Sequence, residues 1–252
     1  MSESTVAIVT GASRGLGEAF AEQLLDAGAS VITLARNSNP RLAELASAKG
    51  ARLQQLQADL SQTSSIESAA GLLSAALPTD ASRYLLINNA GTVDPICLAD
   101  GLFDADSIER AFNLNVVAVM VVTAAFLRSA PKAADRRIVN ISSGAGRKPT
   151  AGWPVYCATK AALDHYTRVL AEENPDLRVA ALAPGVVDTA MQERIRGTDR
   201  RHFPDLDRFL QLHEQGQLAS PQSIASRILQ HVASDRYGHE ILDDIRNYDI
   251  PS

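Results

Sequence analysis

Cysteine is scarce in this chain, which has only Cys97 and Cys157 among its 252 residues. Two cysteines so far apart provide neither a disulfide framework nor a metal-ligand cluster, and they suit a reducing, cytoplasmic setting. An excess of positive charge is lacking too, because the formal net charge is -5. Bulk electrostatics therefore do not favour nucleic acid or an anionic membrane surface as a partner.

Targeting and membrane signals are also missing from the sequence. The first residues, Met1 to Thr5, carry no basic region and lead directly into an apolar run, so we predict no signal peptide. No apolar run is both long enough and uncharged enough to predict a membrane span. The chain does have length and apolar content: 252 residues, 46% of them hydrophobic, fit a single domain over residues 1–252 with a sizeable core.

Apolar runs typical of strands alternate with segments of helical periodicity along the chain. The pattern predicts strands near 6–9, 31–35, 53–58, 84–87, 137–142, 177–182 and 240–242, and helices at 16–24, 42–49, 66–77, 107–128, 154–173 and 221–232. This alternation indicates an α/β fold, a doubly wound parallel sheet whose ligand lies at the carboxyl ends of the strands. The charged, irregular residues 188–219, here called the lid segment, are predicted to form short helices over that site.

A glycine-rich turn, Thr10 to Gly17, joins the first predicted strand to the first predicted helix. The amides of such a turn and the helix N-terminus present N–H groups and positive dipole to a phosphate. Glycine is needed there because side chains would block a pyrophosphate and strain the turn. A plain tight turn is the alternative interpretation, so the residues downstream must decide whether a dinucleotide binds.

The end of the second strand indicates which dinucleotide would bind. An acid at this position binds the ribose 2′-hydroxyl of NAD, whereas an arginine accommodates the 2′-phosphate of NADP. This sequence has Arg36 followed by Asn37, and Arg14 lies in the glycine turn. Two guanidinium groups suit bidentate recognition of one phosphate. Two solvated surface arginines are the alternative, but the two positions together favour NADP.

Other strand ends carry residues with two open interpretations. Asp59 could bond an adenine amino group, or it could cap a helix or pin a loop. The run Asn88 to Gly91 could let the backbone approach a ligand closely, or it could be an ordinary turn. Asn115 lies within a predicted apolar helix, where an asparagine side chain is unfavourable unless it has a partner.

Tyr156 and Lys160 are four residues apart at the start of a predicted helix and so share one face. A phenol has a pKa of about 10, and a neighbouring ammonium is expected to lower it. Tyr156 could then donate a proton to a carbonyl oxygen or remove one from an alcohol. The hydroxyl of Ser143 could bond the same oxygen. By itself such a pair is more often an ordinary helix face.

These motifs together, in this order and spacing, resemble the short-chain dehydrogenase/reductase family over nearly the whole chain. The resemblance rests on Thr10-Gly11-x-x-x-Gly15-x-Gly17, Asn88-Asn89-Ala90-Gly91, Asn115, Ser143, Tyr156-x-x-x-Lys160 and Pro184-Gly185. It implies a Rossmann fold, hydride chemistry with NAD(P), and a catalytic tetrad of Asn115, Ser143, Tyr156 and Lys160. It further implies that Lys160 holds the nicotinamide ribose and that Asn115 supports a water in a proton relay.

The resemblance also implies a cofactor site and an assembly. With the two arginines above, the expected NADP(H)-binding residues are Gly11, Ser13, Arg14, Gly15, Leu16, Gly17, Arg36, Asn37, Asp59, Leu60, Asn89, Ala90, Gly91, Tyr156, Lys160, Pro184, Gly185, Val187 and Thr189. In this family the helices that correspond to those from Ser107 and Pro154 pair across a subunit interface. A homodimer or homotetramer is therefore expected.

Two further motifs resemble the sepiapterin reductase and benzil reductase branch of the family, which reduces side-chain carbonyls and vicinal diketones with NADPH. They are Gly152-Trp153-x-x-Tyr156-Cys157 and Pro184-Gly185-x-x-Asp188-Thr189-x-Met191-Gln192. The resemblance implies that the substrate contacts Trp153, Met191, Gln192 and Asp243, although Asp244 is adjacent to the last of these and the spacing is off by one. Residues 144–151 depart from the pattern of the pterin enzyme.

We therefore expect an NADPH-dependent reductase of a ketone or vicinal diketone, with a small-molecule carbonyl substrate and no metal. A β-ketoacyl-carrier-protein reductase is the alternative enzyme, but its last strand is usually followed by Asp-Gly-Gly, and residues 240–244 lack a glycine pair. A non-catalytic NADP-binding regulator is the alternative from another class. Such proteins typically lack the tyrosine or the lysine, and both are present here.

Overall fold

Seven parallel strands form one sheet in the computed structural model, which describes residues 4–249. The spatial order is β3-β2-β1-β4-β5-β6-β7, so the chain winds outward in both directions from β1 and β4. The strands are β1 Thr5–Thr10, β2 Ser30–Ala35, β3 Leu53–Gln57, β4 Arg83–Asn88, β5 Asp135–Ile141, β6 Arg178–Ala183 and β7 Leu242–Asp244. The reversal of winding between β1 and β4 leaves a crevice at their carboxyl ends, where a ligand is expected.

Helices cover both faces of the sheet. They are α1 Gly15–Asp26, α2 Pro40–Lys49, α3 Thr63–Ala76, α4 Ala105–Phe112, α5 Ala118–Ser129, α6 Pro154–Glu173, α7 Ala190–Arg196, α8 Leu206–Glu214 and α9 Pro221–Ala233. The strand β1 shows why both faces need cover. Its Ala7 and Val9 pack with α1 and α9, whereas Val6 and Ile8 pack with α3 and α5. Because alternate side chains point to opposite faces, a continuously apolar strand must be buried on both.

The helix predicted over residues 107–128 is interrupted. A π-helical turn, Asn113–Val117, separates α4 from α5. The buried amide of Asn115 explains the interruption, because it donates to the carbonyl of Thr92 at 2.9 Å and to Oγ1 of Thr159 at 3.0 Å. The π turn therefore coincides with the point where this side chain bonds the neighbouring loop and α6, and such turns are frequent at functional sites.

The apolar segment Ala105–Ser129 is long and apolar enough to cross a membrane by length and composition. The expectation that no run meets this criterion was therefore wrong. In the fold, 56% of its most apolar window is buried. Val122 and Phe126 are fully buried between the sheet and α3. The segment is a core helix of this domain, and its hydropathy is explained by packing.

The last strand begins later than predicted, at Leu242 instead of residue 240. Its register is set by β6, since Leu242, Asp243 and Asp244 pair with Ala181, Leu182 and Ala183. This pairing makes Asp243 and Asp244 neighbours within the strand, so their side chains point to opposite faces of the sheet.

The lid segment contains the short helices that were predicted, α7 and α8. Although its sequence shows no regular apolar periodicity, the segment has four buried apolar side chains, Ile195, Phe203, Leu206 and Phe209. These pack on Trp153, whose ring stacks on Phe203 with centroids 4.8 Å apart. An aromatic cluster therefore attaches this segment to the start of α6.

Candidate active site

One cleft of about 1140 Å³ lies along the carboxyl ends of the strands. It is lined by the turns that follow β1 to β6 and by α7 and α8. Most residues predicted from the sequence line it: Gly11, Ser13, Arg14, Gly15, Leu16, Arg36, Asp59, Leu60, Asn89, Ala90, Gly91, Ser143, Trp153, Tyr156, Lys160, Pro184, Gly185, Val187, Thr189, Met191 and Gln192. Gly17, Asn37, Asn115 and Asp243 do not.

The glycine-rich turn is held closely against the end of β4. Gly11 has a φ of +72°, and a Cβ there would lie 2.9 Å from the Cα of Ala90. The side-chain amide of Asn89 donates to the carbonyl of Thr10 at 3.0 Å. A Cβ on Gly17 would lie 2.3 Å from the carbonyl oxygen of Gly11. Gly17 is therefore required for packing of α1 on the turn, which explains its place outside the cleft lining.

This cradle fits a dinucleotide. Arg14, at the N-cap of α1, makes no side-chain hydrogen bond to the first turn of the helix, so it caps none of that turn's N–H groups. Gly15 lines the cleft beside Thr189, to which a Cβ would approach within 3.4 Å. Free N–H groups at a helix start, with no side chain between them and the cleft, suit a pyrophosphate. The glycine-rich turn and the start of α1 therefore fit the dinucleotide that the sequence predicts.

The end of β2 supplies Arg36 to the same cleft, together with Arg14. Asp59 also lines the cleft, but its Oδ1 accepts hydrogen bonds from the backbone N–H and the hydroxyl of Ser61, at 3.0 and 2.7 Å. Of the interpretations left open for Asp59, pinning the loop is therefore observed. Asn37 is exposed outside the cleft lining, two residues beyond the strand end.

Tyr156 and Ser143 meet at the end of β5. Their hydroxyl groups share a hydrogen bond, and Oγ of Ser143 also accepts from the N–H of Ala145 at 3.2 Å. Burial raises the pKa of Tyr156 to about 12, and the bond with Ser143 only partly opposes this. The expectation that Lys160 lowers this pKa is wrong for the protein alone, because desolvation of the phenolate is the larger effect.

Lys160 is buried beneath Tyr156, with Nζ 5.8 Å from the centroid of the phenol ring. It donates a hydrogen bond of 2.7 Å to the carbonyl of Ile141, at the end of β5. Burial lowers the pKa of Lys160 to about 8, while the carboxylate of Asp164 raises it. The ammonium is therefore held in place by the strand end and has a pKa near neutrality.

Asp164, which is buried, and Arg147, which is partly exposed, form a network behind Lys160 that the sequence analysis missed. Asp164 accepts from the hydroxyl of Ser142 and from Nε of Arg147, at 2.5 and 3.0 Å. The other guanidinium nitrogens of Arg147 donate to the carbonyls of Asp243 and Ala181. The only sequence signal was the position of Asp164 one turn after Lys160, which places the two on one helix face.

Asn115 completes the predicted tetrad from behind the cleft. Its Oδ1 accepts from the N–H of Thr92 at 2.8 Å. A Cβ placed on Gly91 would lie 3.2 Å from that oxygen and 3.8 Å from Nζ of Lys160. The structure therefore brings Asn115 and Lys160 close to one glycine, although Asn115 itself is 1% exposed.

The far end of the cleft is apolar and aromatic. Trp153 packs edge-on against Tyr156 with ring centroids 5.3 Å apart, and Met191 packs on the same aromatic cluster. Gln192 lines the cleft and is 7% exposed. All three residues were predicted from the sequence to contact the substrate, and all three line the cleft.

Asp243 does not face the cleft, which corrects the expectation that it contacts the substrate. Its carboxylate is 3% exposed and bonds Nε2 of His231 at 2.8 Å and the hydroxyl of Tyr248 at 2.9 Å. Asp244 and its partner Arg246 line the cleft instead. The reason is the register of β7, because neighbouring side chains on a strand point to opposite faces.

Comparison with known proteins identifies the class that this fold and site define. The sequence model described as short chain dehydrogenase matches residues 5–200. The chain therefore belongs to the short-chain dehydrogenase family, whose members are oxidoreductases that bind a nicotinamide cofactor.

Individual members of the family show which of its enzymes this chain is similar to. The chain is 36% identical over 236 residues to a benzil reductase ((S)-benzoin forming) of Bacillus cereus, covering 91% of this chain and 94% of that protein. It is 34% identical over 245 residues to the sepiapterin reductase of Bos taurus, covering 92% and 91%. A short-chain dehydrogenase from Sphingobium yanoikuyae in complex with NADPH has a similar structure, with a TM-score of 0.73, 26% identity and coverage of 95% and 87%.

Proposed function

We propose that this protein is an NADPH-dependent carbonyl reductase that acts on a ketone or vicinal diketone. The observation that carries the proposal is the buried Tyr156 with Ser143 beside it, at the end of a cleft with an aromatic wall. The likeness to a benzil reductase and a sepiapterin reductase supports the reaction class. The apolar wall favours a substrate with an aromatic or other apolar body.

The roles of the residues follow from their positions. A bound nicotinamide supplies the hydride that reaches the carbonyl carbon. Ser143 and Tyr156 hydrogen-bond the carbonyl oxygen, where negative charge develops, and Tyr156 donates its proton to that oxygen. With a pKa of about 12, Tyr156 holds its proton at neutral pH, which suits an acid in the reductive direction. Lys160 holds the nicotinamide ribose and adds positive charge beneath the phenol, and Asn115 supports a water that restores the proton.

Oxidation of NADPH in the presence of a carbonyl panel tests the proposed reaction. Benzil, sepiapterin and a β-ketoacyl thioester are supplied in turn, with NADPH alone as the blank. Oxidation with benzil or sepiapterin supports the proposal, and the chirality of the alcohol is then read by chromatography. Turnover of the thioester alone would favour the acyl-carrier-protein branch. NADPH binding without turnover of any member would favour the regulator.

Cofactor preference is expected to depend on Arg36. Arg36→Ala removes one guanidinium from the position of the 2′-phosphate, and a charge-assisted contact contributes about 1.5–3 kcal/mol. The ratio of NADH to NADPH dissociation constants should therefore fall by about tenfold or more. Titration of both cofactors measures it. Arg41→Ala is the matched control, since Arg41 is exposed on α2 and pairs with Glu22 outside the cleft lining. Equal affinity for the two cofactors in the parent protein would contradict an NADP site.

We further propose that the lid segment, residues 188–219, closes the substrate end of the cleft, since α7 and α8 both line it.

A homodimer or homotetramer through α5 and α6 is proposed from the family, supported by exposed Met120 and Val169 on those helices. Light scattering after size-exclusion chromatography distinguishes these assemblies from a monomer. A cytoplasmic location is proposed because the chain has two cysteines, both free in the structure.

A further inference from the structure

The cleft is positively charged, although the chain as a whole has a net charge of -5. Lysine and arginine outnumber aspartate among its lining residues, and glutamate is absent from the lining within residues 4–249. Arg14 and Arg36 are the two arginines proposed to bind the 2′-phosphate at the adenosine end of the cofactor. Lys160 belongs to the predicted tetrad. Four other arginines lie beside a carboxylate: Arg110 by Asp104, Arg147 by Asp164, Arg194 by Asp94 and Arg246 by Asp244.

Two cations of the cleft are left without an acidic partner. Lys148 follows β5 and Arg208 lies on α8, and both are exposed and line the cleft. Throughout the part of the chain that the structure describes, no carboxylate lies within 4.0 Å of either of these two side chains. A charged group that lines a cleft with no counter-charge is free to pair with an anionic group of a ligand.

The 2′-phosphate of the proposed cofactor is too far away to be that group. The 2′-phosphate position lies at the end of β2, and Lys148 follows the end of β5. Two strands, β1 and β4, lie between them in the sheet. Three interstrand steps of about 4.8 Å place these ends about 14 Å apart. Lys148 lies in the turn between Ser143 and Trp153, both of which contact Tyr156, and so belongs to the substrate side of the cleft.

Arg208 is joined to the reacting position by a row of rings. Tyr156 contacts Trp153 at 5.3 Å between centroids, and Trp153 contacts Phe209 at 5.4 Å. The guanidinium of Arg208 lies 5.7 Å from the centroid of Phe209. An apolar wall thus begins at the catalytic phenol and ends at a cation.

From this arrangement we infer that the substrate carries an anionic group, a carboxylate, on the part of its apolar body farthest from the reacting carbonyl. Its rings pack along Trp153 and Phe209, its carbonyl oxygen reaches Tyr156, and its carboxylate pairs with Arg208 and Lys148. A guanidinium is suited to a carboxylate because it presents two parallel N–H donors. This inference rests on the proposed function for the direction of the carbonyl, and it adds the charge of the substrate.

A matched pair of ligands tests the inference by binding. Isothermal titration calorimetry measures the affinity of benzil and of benzil with one para-carboxylate for the protein saturated with NADP⁺. The carboxylated compound should bind about fivefold or more tightly, as a partly exposed ion pair allows. The double variant Arg208→Gln with Lys148→Gln should abolish the difference and leave benzil affinity unchanged. Arg200→Gln is the control, since Arg200 is an exposed arginine of the lid segment that pairs with Asp207 and does not line the cleft.

The outcomes separate this inference from the proposed reaction. Equal affinity for the two compounds, measurable binding of neither, or a preference that survives the double variant overturns the anionic substrate. A preference for the carboxylated compound that the double variant removes supports the anionic substrate. This holds even if neither compound is reduced, a result that would contradict the proposed reaction and leave the anion site supported. Reduction of both compounds with equal affinity would support the proposed reductase activity and contradict the inference that the substrate is anionic.

Discussion

Tyr156→Phe is expected to lower the turnover of a carbonyl substrate by about a hundred- to ten-thousand-fold, the range that general acid catalysis contributes. The substitution removes one oxygen and its shared hydrogen bond with Ser143. Ser143 keeps its bond from the N–H of Ala145, so the turn should retain its shape. Folding and NADPH affinity should therefore survive while the proton donor is lost.

Steady-state kinetics and cofactor titration on the same preparation measure both effects. Tyr166→Phe is the matched control, because Tyr166 is another tyrosine of α6 whose hydroxyl bonds Thr123 away from the cleft. The control should keep near-parent turnover. A Tyr156→Phe protein that folds, binds NADPH and still reduces diketones at near-parent rates would show that the proton comes from another group.

Lys160→Ala should behave differently from Tyr156→Phe. It removes a buried ammonium bonded to the carbonyl of Ile141 and, in the proposed complex, the contact to the nicotinamide ribose. Both turnover and cofactor affinity should therefore fall. The two losses of turnover should not add in the double variant, since the groups act as one unit.

The second large effect is expected for stability. Asp164→Ala should lower the free energy of unfolding by about 1.5–3 kcal/mol, because the buried carboxylate accepts hydrogen bonds that its removal leaves unmade. The charge left behind is the guanidinium of Arg147, and the hydroxyl of Ser142 loses its acceptor as well. Arg147 connects the turn after β5 to β6 and β7 through its hydrogen bonds with Ala181 and Asp243. Removing its carboxylate partner should therefore destabilise this part of the cleft. Urea unfolding followed by circular dichroism measures the change.

Controls distinguish this pair from ordinary surface charge. Asp199→Ala breaks an ion pair with Arg201 that is largely exposed, and its effect on the free energy of unfolding should be much smaller than that of Asp164→Ala. The double variant Asp164→Ala with Arg147→Ala should cost less than the sum of the single variants, since the two groups are in contact. A single Asp164→Ala effect as small as that of Asp199→Ala would show that the network contributes little to stability.

Asp164→Asn provides a readout that stability alone would not change. The carboxylate of Asp164 raises the pKa of Lys160 against the lowering by burial, so its removal should lower that pKa further below about 8. The high-pH limb of kcat/KM for NADPH reports groups of the free enzyme. Because Lys160 is charged below its pKa and neutral above it, this limb should move to lower pH in Asp164→Asn.

Much of the fold was predictable because it follows from local pattern. Continuous apolar runs such as Val6 to Val9 indicate strands buried on both faces, and their alternation with amphipathic segments indicates a parallel sheet. The strand ends then bring Gly11, Arg36, Asn89 and Ser143 to one edge without any knowledge of packing. The spacing of Tyr156 and Lys160 likewise determines that they share a helix face.

Tertiary structure alone decided the features that depend on register and docking. The choice between Asp243 and Asp244 rests on how β7 pairs with β6, and a shift in strand register moves side chains to the other face. The pairing of Asp164 with Arg147 and the π turn at Asn115 depend on contacts between segments distant in sequence. The pKa of Tyr156 is raised and not lowered as expected, because burial, which no spacing encodes, disfavours the charged phenolate. Sequence periodicity thus determined which residues reach the cleft, and long-range packing determined how each side chain is oriented and charged there.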